Sequence, residues 1–353
     1  MIPAVPGILT AADIETTAGS IVEQQQPDGL ILWFPGGHAD PWNHIEAAMA
    51  LALGGRRVEA ERAYQWLVDS QRPDGSWHHY YLADGIEDPK FDANVIAYIA
   101  AGAWHHFLLT RDRGFLDTMW PVVERAVEWV LELQTSRGEI LWARHPDGTP
   151  WPFALLTGSS SICHSLRCAI AIAEHLGHER PDWELSAASL AHAIRNIPEA
   201  FEPKHRWAMD WYYPVLGGAV LGEAGRDHLR SGWDTFIMEG KGTRCVSDRP
   251  WTTAAETCEC VMAHLAVGED LKAWDLFRWI QPLRDDDGAY FTGIVYPQLK
   301  HFPGDERSTY TAAAVVLAAD ALTRTSPASG LFVDHDLLPE LVDTGDRVND
   351  PTD

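Results

Sequence analysis

Two kinds of apolar pattern alternate along this chain. In one, charged residues hold one face and apolar residues the other, as in Arg56, Glu59, Glu61 and Arg62 beside Ala63, Trp66 and Leu67. Helical spacing of this kind marks an amphipathic helix with one wet side. In the other, the stretch is apolar nearly all round, as in Val95, Ile96, Ala97, Ile99, Ala100 and Ala101, or from Ala312 to Ala318. Such a helix must be enclosed by others. The alternation predicts six pairs, an outer helix followed by an inner one: Ala11–Gln25 with Trp42–Leu53, Val58–Ser70 with Asp92–Leu109, Phe115–Gln134 with Ser159–Leu176, Trp183–Ile197 with Asp210–Leu221, His228–Met238 with Thr253–Ala266, and Leu271–Ile280 with Ser308–Leu322. Six outer and six inner helices describe an all-α fold, a closed (α/α)6 toroid filling 1–324 as one domain.

A short phrase punctuates the pattern: a glutamine, a polar turn with glycine, then an aromatic. It reads Gln26-Pro27-Asp28-Gly29 with Trp33, Gln71-Arg72-Pro73-Asp74-Gly75-Ser76-Trp77, Gln134 to Gly138 with Trp142, and Gln281 to Gly288 with Tyr290 and Phe291. Glycine beyond a helix end closes the last turn in the left-handed conformation. Proline and aspartate favour the turn, and the aromatic can fold back over the helix end.

Composition narrows the partners. With 51 acidic against 27 basic side chains the formal net charge is −24, which repels phosphate backbones and anionic headgroups, so no nucleic acid is expected. No stretch reaches the ~18 apolar residues of a membrane span. Five cysteines, Cys163, Cys168, Cys245, Cys258 and Cys260, are too few and odd for a disulfide framework and read as buried free thiols. With no secretory signal visible, the expected location is cytoplasmic. From Thr325 to Asp353 there are seven acids and one arginine, and this segment is expected to be an acidic arm, partly disordered. Nothing in the chain assigns an oligomeric state.

The four repeat phrases resemble the glutamine–tryptophan repeat of the terpenoid cyclase and protein prenyltransferase superfamily, over about residues 10–323. The resemblance implies the same toroid and an isoprenoid or similar small substrate in its centre. The chain departs from the superfamily in its chemistry. It lacks the Asp-x-Asp-Asp signature; Asp285-Asp286-Asp287-Gly288 lies in a repeat turn. Asp210 is similar to the aspartate of a prenyltransferase zinc site, but Tyr212 stands where the cysteine would be, and 305–311 contains no histidine. No metal and no cofactor are therefore expected. A second stretch, Phe91–Gly177, is similar to six-hairpin glycosidases of the glucoamylase kind through Asp92, Phe115-Leu116-Asp117 and Trp120-Pro121, though no acid stands near Trp142 where one would be expected.

If all inner helices run the same way, their first turns converge at one mouth. Asp210, Glu256, Asp92 and Asp40 are the catalytic candidates there. His38, Trp42, His44, Glu46, His164, Trp211, Tyr212, Tyr213, Trp251, Glu306, Arg307 and Tyr310 are candidates for binding the substrate. Aspartates at these positions also serve as helix caps, and the histidines as packed core. The leading expectation is isoprenoid chemistry, with aromatic faces stabilising carbocations. The alternative is a carbohydrate-active enzyme with paired carboxylates flanking a glycosidic bond. The third is a toroid that binds without catalysis.

Overall fold

In the computed structural model, which describes residues 1–341, the chain enters α1 (Ala11–Val22) through a reciprocal cap. The Thr10 hydroxyl accepts the Asp13 N–H, and the Asp13 carboxylate accepts the Thr10 N–H, satisfying two of the donors a helix start leaves free. The first hairpin closes with α2 (Pro41–Leu53). The others follow in order: α3 (Arg57–Ser70) with the broken pair α4 (Ala93–Ala97) and α5 (Ile99–Thr110), α6 (Arg113–Leu131) with α7 (Leu156–Leu176), α8 (Pro181–Asn196) with α9 (Ala208–Leu216), α10 (Gly222–Phe236) with α11 (Ala254–Ala266), and α12 (Asp270–Trp279) with α13 (Thr309–Thr323). The second member of each hairpin is buried almost all round. These inner helices pack consecutively, α2 on α5, α5 on α7, α7 on α9, α9 on α11, α11 on α13, and α13 back on α2. The fold is an all-α (α/α)6 toroid, as its apolar pattern predicts.

The repeat phrase turns out to be the fastener between hairpins. In three copies a glutamine amide reaches the carbonyl of its own turn glycine and a carbonyl of the next outer helix: Gln25 to Gly29 and Glu59, Gln71 to Gly75 and Val122, Gln134 to Gly138 and Ser186. In the first copy the working residue is Gln25, one position before the glutamine singled out from sequence. The glycine is required twice over. At Gly75 φ is +93°, and a Cβ would stand 2.3 Å from the Arg125 carbonyl oxygen. The fourth copy closes the ring, because Gly288 abuts α1 at Thr16 and its carbonyl accepts the Thr17 hydroxyl at 2.8 Å.

Three details depart from the sequence reading. The second inner helix breaks at Tyr98. The fourth ends early, at Leu216 before Gly217-Gly218. The connection into α13 is no helix start but a sheet of Trp251–Thr253, Phe291–Val295 and Lys300–Arg307. The segment after Arg324, expected as an arm, is packed as far as it is described. Leu331, Phe332, Val333, His335 and Leu338 are buried, and the Arg167 guanidinium bonds the carbonyls of His335, Leu338 and Pro339. The segment's Phe332 lines a small void with residues of α2, α7, α9, α11 and α13. Most of the acidic run, from 342 to 353, lies outside the described residues.

Candidate active site

The mouth is built by the first turns of the inner helices. Asp40 caps α2: its Oδ1 accepts the Asn43 N–H at 3.0 Å, and its Oδ2 accepts the Asn43 amide at 2.7 Å and the Trp33 indole at 2.8 Å. Asp92 caps α4 through the N–H groups of Asn94 and Val95, while its Oδ2 takes the Trp142 indole at 2.5 Å. Both indoles come from the repeat turns, where the sequence suggested only closure of a helix end. Asp210 and Glu256 are the third residues of α9 and α11 and do not cap the helices that carry them. Asp210 Oδ1 is held by the Thr157 hydroxyl at 2.7 Å and N–H at 3.3 Å. Glu256 stands beside the Cys245 thiol and, among the described residues, has none of the amide, hydroxyl and indole donors that hold the three aspartates.

These side chains line one cavity of about 600 Å³ with Trp33, Trp42, Asn43, Glu46, His79, Tyr80, Asn94, Trp142, Phe153, Trp207, Glu259 and Tyr310. Six carboxyl groups and a wall of aromatic rings thus share it. Low-dielectric burial disfavours the charged form of a carboxyl. Burial pushes Asp92 up to about 6 against the hydrogen bonds it accepts. It also raises Asp40 and Asp210. At the floor, burial pushes Glu46 to about 7 and raises Glu259 well above its usual range. His79 goes the other way, to about 3, so it is neutral. Its Nδ1, 3.8 Å from Asp92 Oδ2, and the Asn94 Oδ1 are buried polar atoms without a hydrogen-bond partner among the described residues.

The structure gathers Asp40, Asp92, Asp210, Glu256, Trp42, Glu46 and Tyr310 at this cavity. The remaining binding candidates point elsewhere, each for a local reason. His44 turns outward, accepting the Ile31 N–H and meeting the Ala63 carbonyl of α3. Trp211, about 100° round α9 from Asp210, stacks on Phe236 and donates to the His228 carbonyl. Tyr212 and Tyr213 are buried below, both donating to Glu259. His164 packs under Phe332 beside Cys168. Trp251, Glu306 and Arg307 lie on the sheet, not on first helical turns. Trp251 stacks on Phe302, Glu306 accepts from Thr292, and Arg307 is clamped by Asp285 and Asp287. His38 stacks on Tyr80 and pairs with Glu87 at 2.8 Å, and so supports a cavity residue from behind.

Comparison with known proteins decides between the open readings. No family model matches the chain. Over 336 residues it is 49% identical to the MMP endo-(1,4)-3-O-methyl-alpha-D-mannosidase of Mycolicibacterium hassiacum, covering 95% of this chain and 93% of that enzyme. The chain belongs to that mannosidase's family. A D-mannose isomerase superposes with TM-score 0.70 at 12% identity over 89% of this chain and 97% of its own. A glycosidase in complex with glucose superposes with TM-score 0.66 at 13% identity over 91% and 98%. At such identities these two speak for the toroid alone. Membership of the mannosidase family overturns the leading isoprenoid expectation and its terpenoid cyclase and prenyltransferase resemblance. The physical reason is that the glutamine and glycine of the repeat phrase fasten hairpins together, and its indoles at Trp33 and Trp142 only hold carboxylates at the mouth, so the phrase marks the toroid and does not specify a reaction.

Several cavity residues escaped the sequence reading. Glu259 lies one helical turn below Glu256, and its i, i+3 spacing was a usable signal. His79 and Tyr80 follow the tightest repeat copy directly. Lys204 and Trp207 sit on a connection whose course no periodicity reveals, and Thr157 stands in the first turn of α7, just before the helix start expected at Ser159.

Proposed function

We propose that this protein is a glycoside hydrolase that cuts within chains of α-(1→4)-linked, 3-O-methylated D-mannose. Near-full-length identity of 49% to an enzyme of that name carries the reading. The carboxyl-ringed, aromatic-walled cavity supports it. Sugar rings offer an apolar face to an indole and a rim of hydroxyls to carboxylates and amides. Asn94 Oδ1 and His79 Nδ1 suit substrate hydroxyls, which would satisfy otherwise costly buried atoms.

Hydrolysis of a glycoside takes one carboxylic acid to protonate the leaving oxygen and one carboxylate to activate water or attack. Such pairs are recognised by environments that drive their protonation apart. We assign the acid to Asp92, buried and raised to about 6, and the carboxylate to Glu256, the unanchored group. In the ring order, α4 and α11 stand three steps apart, across the opening. Carboxyls on opposite walls leave room for a water between them and the sugar, the arrangement that inverts the anomeric centre. Asp40, anchored at the start of its own helix, and Asp210, anchored to Thr157 of α7, would orient hydroxyls.

The test is hydrolysis of an α-(1→4)-linked 3-O-methylmannose oligomer followed by NMR. The expected result is internal cleavage with β-configured product at first turnover. Cleavage of other α-hexosides but not of this oligomer would reject the substrate; no hydrolysis of any glycoside would reject the reaction.

A further inference from the structure

A second void opens beside the first. This groove of about 1,050 Å³ runs between the connection into α7, the segment 198–207 and the exposed side of α10. Phe153, Trp207 and Asp210 line both voids, so the groove begins on the other side of the cavity's own wall. Its sides alternate apolar surface, from Pro152, Phe201 and Pro203, with hydrogen-bonding groups such as Arg195, His205 and Thr235. Trp207, at 42% exposure, stands at the junction.

We infer that this groove is a remote binding site for the part of the sugar chain beyond the bond being cut, a reading that rests on the proposed function. An endo-acting enzyme must hold chain on both sides of the scissile bond. A cavity of about 600 Å³ is in the range that encloses a small-molecule-sized ligand, so the rest of a polymer has to leave it. The junction at Trp207 offers an exit with an aromatic face. The lining suits the chemistry too. A methylated hydroxyl loses a donor and gains a methyl group, which needs apolar contact beside the remaining polar rim. The groove offers both, whereas an unmethylated chain would favour a more uniformly polar surface.

Ser231 and Thr235 lie on the exposed side of α10 and line the groove but not the cavity. Ser231→Trp or Thr235→Trp would fill it. The expected result is a KM about tenfold higher for a long oligomer, with kcat/KM for a short one changed less than about twofold; tenfold corresponds to ~1.4 kcal/mol of lost contact. Calorimetric binding of the long oligomer to Glu256→Gln protein should weaken by a similar factor when Ser231→Trp is added. Unchanged long-chain KM in both tryptophan variants, or equal losses for short and long chains, would overturn the inference. If the wild type hydrolyses no mannoside, the proposed function falls and binding alone judges the groove: chain binding abolished by Ser231→Trp sustains it, and no chain binding rejects it.

Discussion

Glu46 and Glu259 meet at the cavity floor with four aromatic donors divided between them. Glu46 Oε1 accepts the Trp42 indole and the Tyr98 hydroxyl, each at 3.0 Å. Glu259 accepts Tyr213 at 2.5 Å on one oxygen and Tyr212 on the other. Both line the same small void with Met262 and Phe332. Burial raises each carboxyl; the charge of Asp40 adds to the rise of Glu46, and that of Glu46 to the rise of Glu259. The folded protein therefore keeps a proton on Glu46 up to about pH 7, whereas the unfolded chain releases it near 4.5. The pair's contribution is present below pH 4.5 and is lost as the pH rises toward 7. Buried neutral histidines act in the opposite sense. His44 and His264, each lowered to about 4, cost stability as the pH falls below 6.5. The pair is thus read as a difference. Glu46→Gln should gain stability relative to wild type from pH 4.5 to 7, on the order of 1–3 kcal/mol, measured by thermal or urea unfolding at each pH. A constant difference across that range would contradict the shared burial of the pair.

The acid assignment has a kinetic signature. With Asp92 at about 6, kcat/KM should decline above pH 6, tenfold per unit, as the acid loses its proton. Asp92→Asn should lose roughly 10²–10⁴-fold on a natural oligomer, yet recover with an aryl mannoside whose leaving group needs no protonation. Asp40→Asn and Asp210→Asn should show no such recovery. If Asp40→Asn or Asp210→Asn shows the recovery instead, the acid is that residue.

Glu256 should behave differently. Glu256→Gln should lose roughly 10²–10⁴-fold with every leaving group. Azide should partly rescue Glu256→Ala by occupying the place of the attacking water, giving a glycosyl azide of inverted configuration. A retained product would mean that the two carboxyls stand closer than an inverting pair requires.

The fold was legible in the chain because enclosure leaves a compositional mark. The all-round apolar runs at 95–101 and 312–318 could only be inner helices, and the fasteners at Gly29, Gly75, Gly138 and Gly288 marked four of the six hairpins. The cavity was half legible. Asp40, Asp92, Asp210 and Glu256 fall at first turns, which periodicity locates. Trp251, Glu306 and Arg307 were misplaced because a sheet replaces the helix start there, and short strands at a mouth have no long-range period to announce them. His44 turns away from the cavity, and Trp211 turns to the neighbouring groove, because a first turn points in several directions and only packing selects one. The reaction was not legible from the repeat, since Gln71 and Gly75 serve hairpin joining whatever the cavity does.

The fastener makes a controlled comparison possible. Gly75 and Gly148 both hold positive φ, +93° and +88°, but a Cβ on Gly75 meets the Arg125 carbonyl at 2.3 Å, while on Gly148 it meets nothing within 4 Å. Gly148→Ala should cost only the left-handed conformation, about 1 kcal/mol. Gly75→Ala should add the clash and the displaced hairpin contact, about 2–4 kcal/mol in all. Equal losses in urea unfolding would mean that the turn, not the inter-hairpin approach, requires the glycine.

Phe332 connects the C-terminal segment to the cavity floor. It lies at 8% exposure over His164, and its side chain helps line the void that holds Glu46 and Glu259. Phe332→Ala should cost about 3 kcal/mol from lost packing. It should do something further that a simple cavity would not. An opened void beside two carboxyl groups is polar enough to admit water, and hydration relieves the burial that keeps Glu46 protonated. The Glu46 carboxyl should then move down from about 7 toward its ordinary range, so the pH-dependent difference between Phe332→Ala and Phe332→Ala/Glu46→Gln should shrink relative to that between wild type and Glu46→Gln. Unfolding curves of the four proteins between pH 4.5 and 7.5 give that difference directly. An undiminished difference would show that the segment after Arg324 packs beneath the floor without keeping water from it.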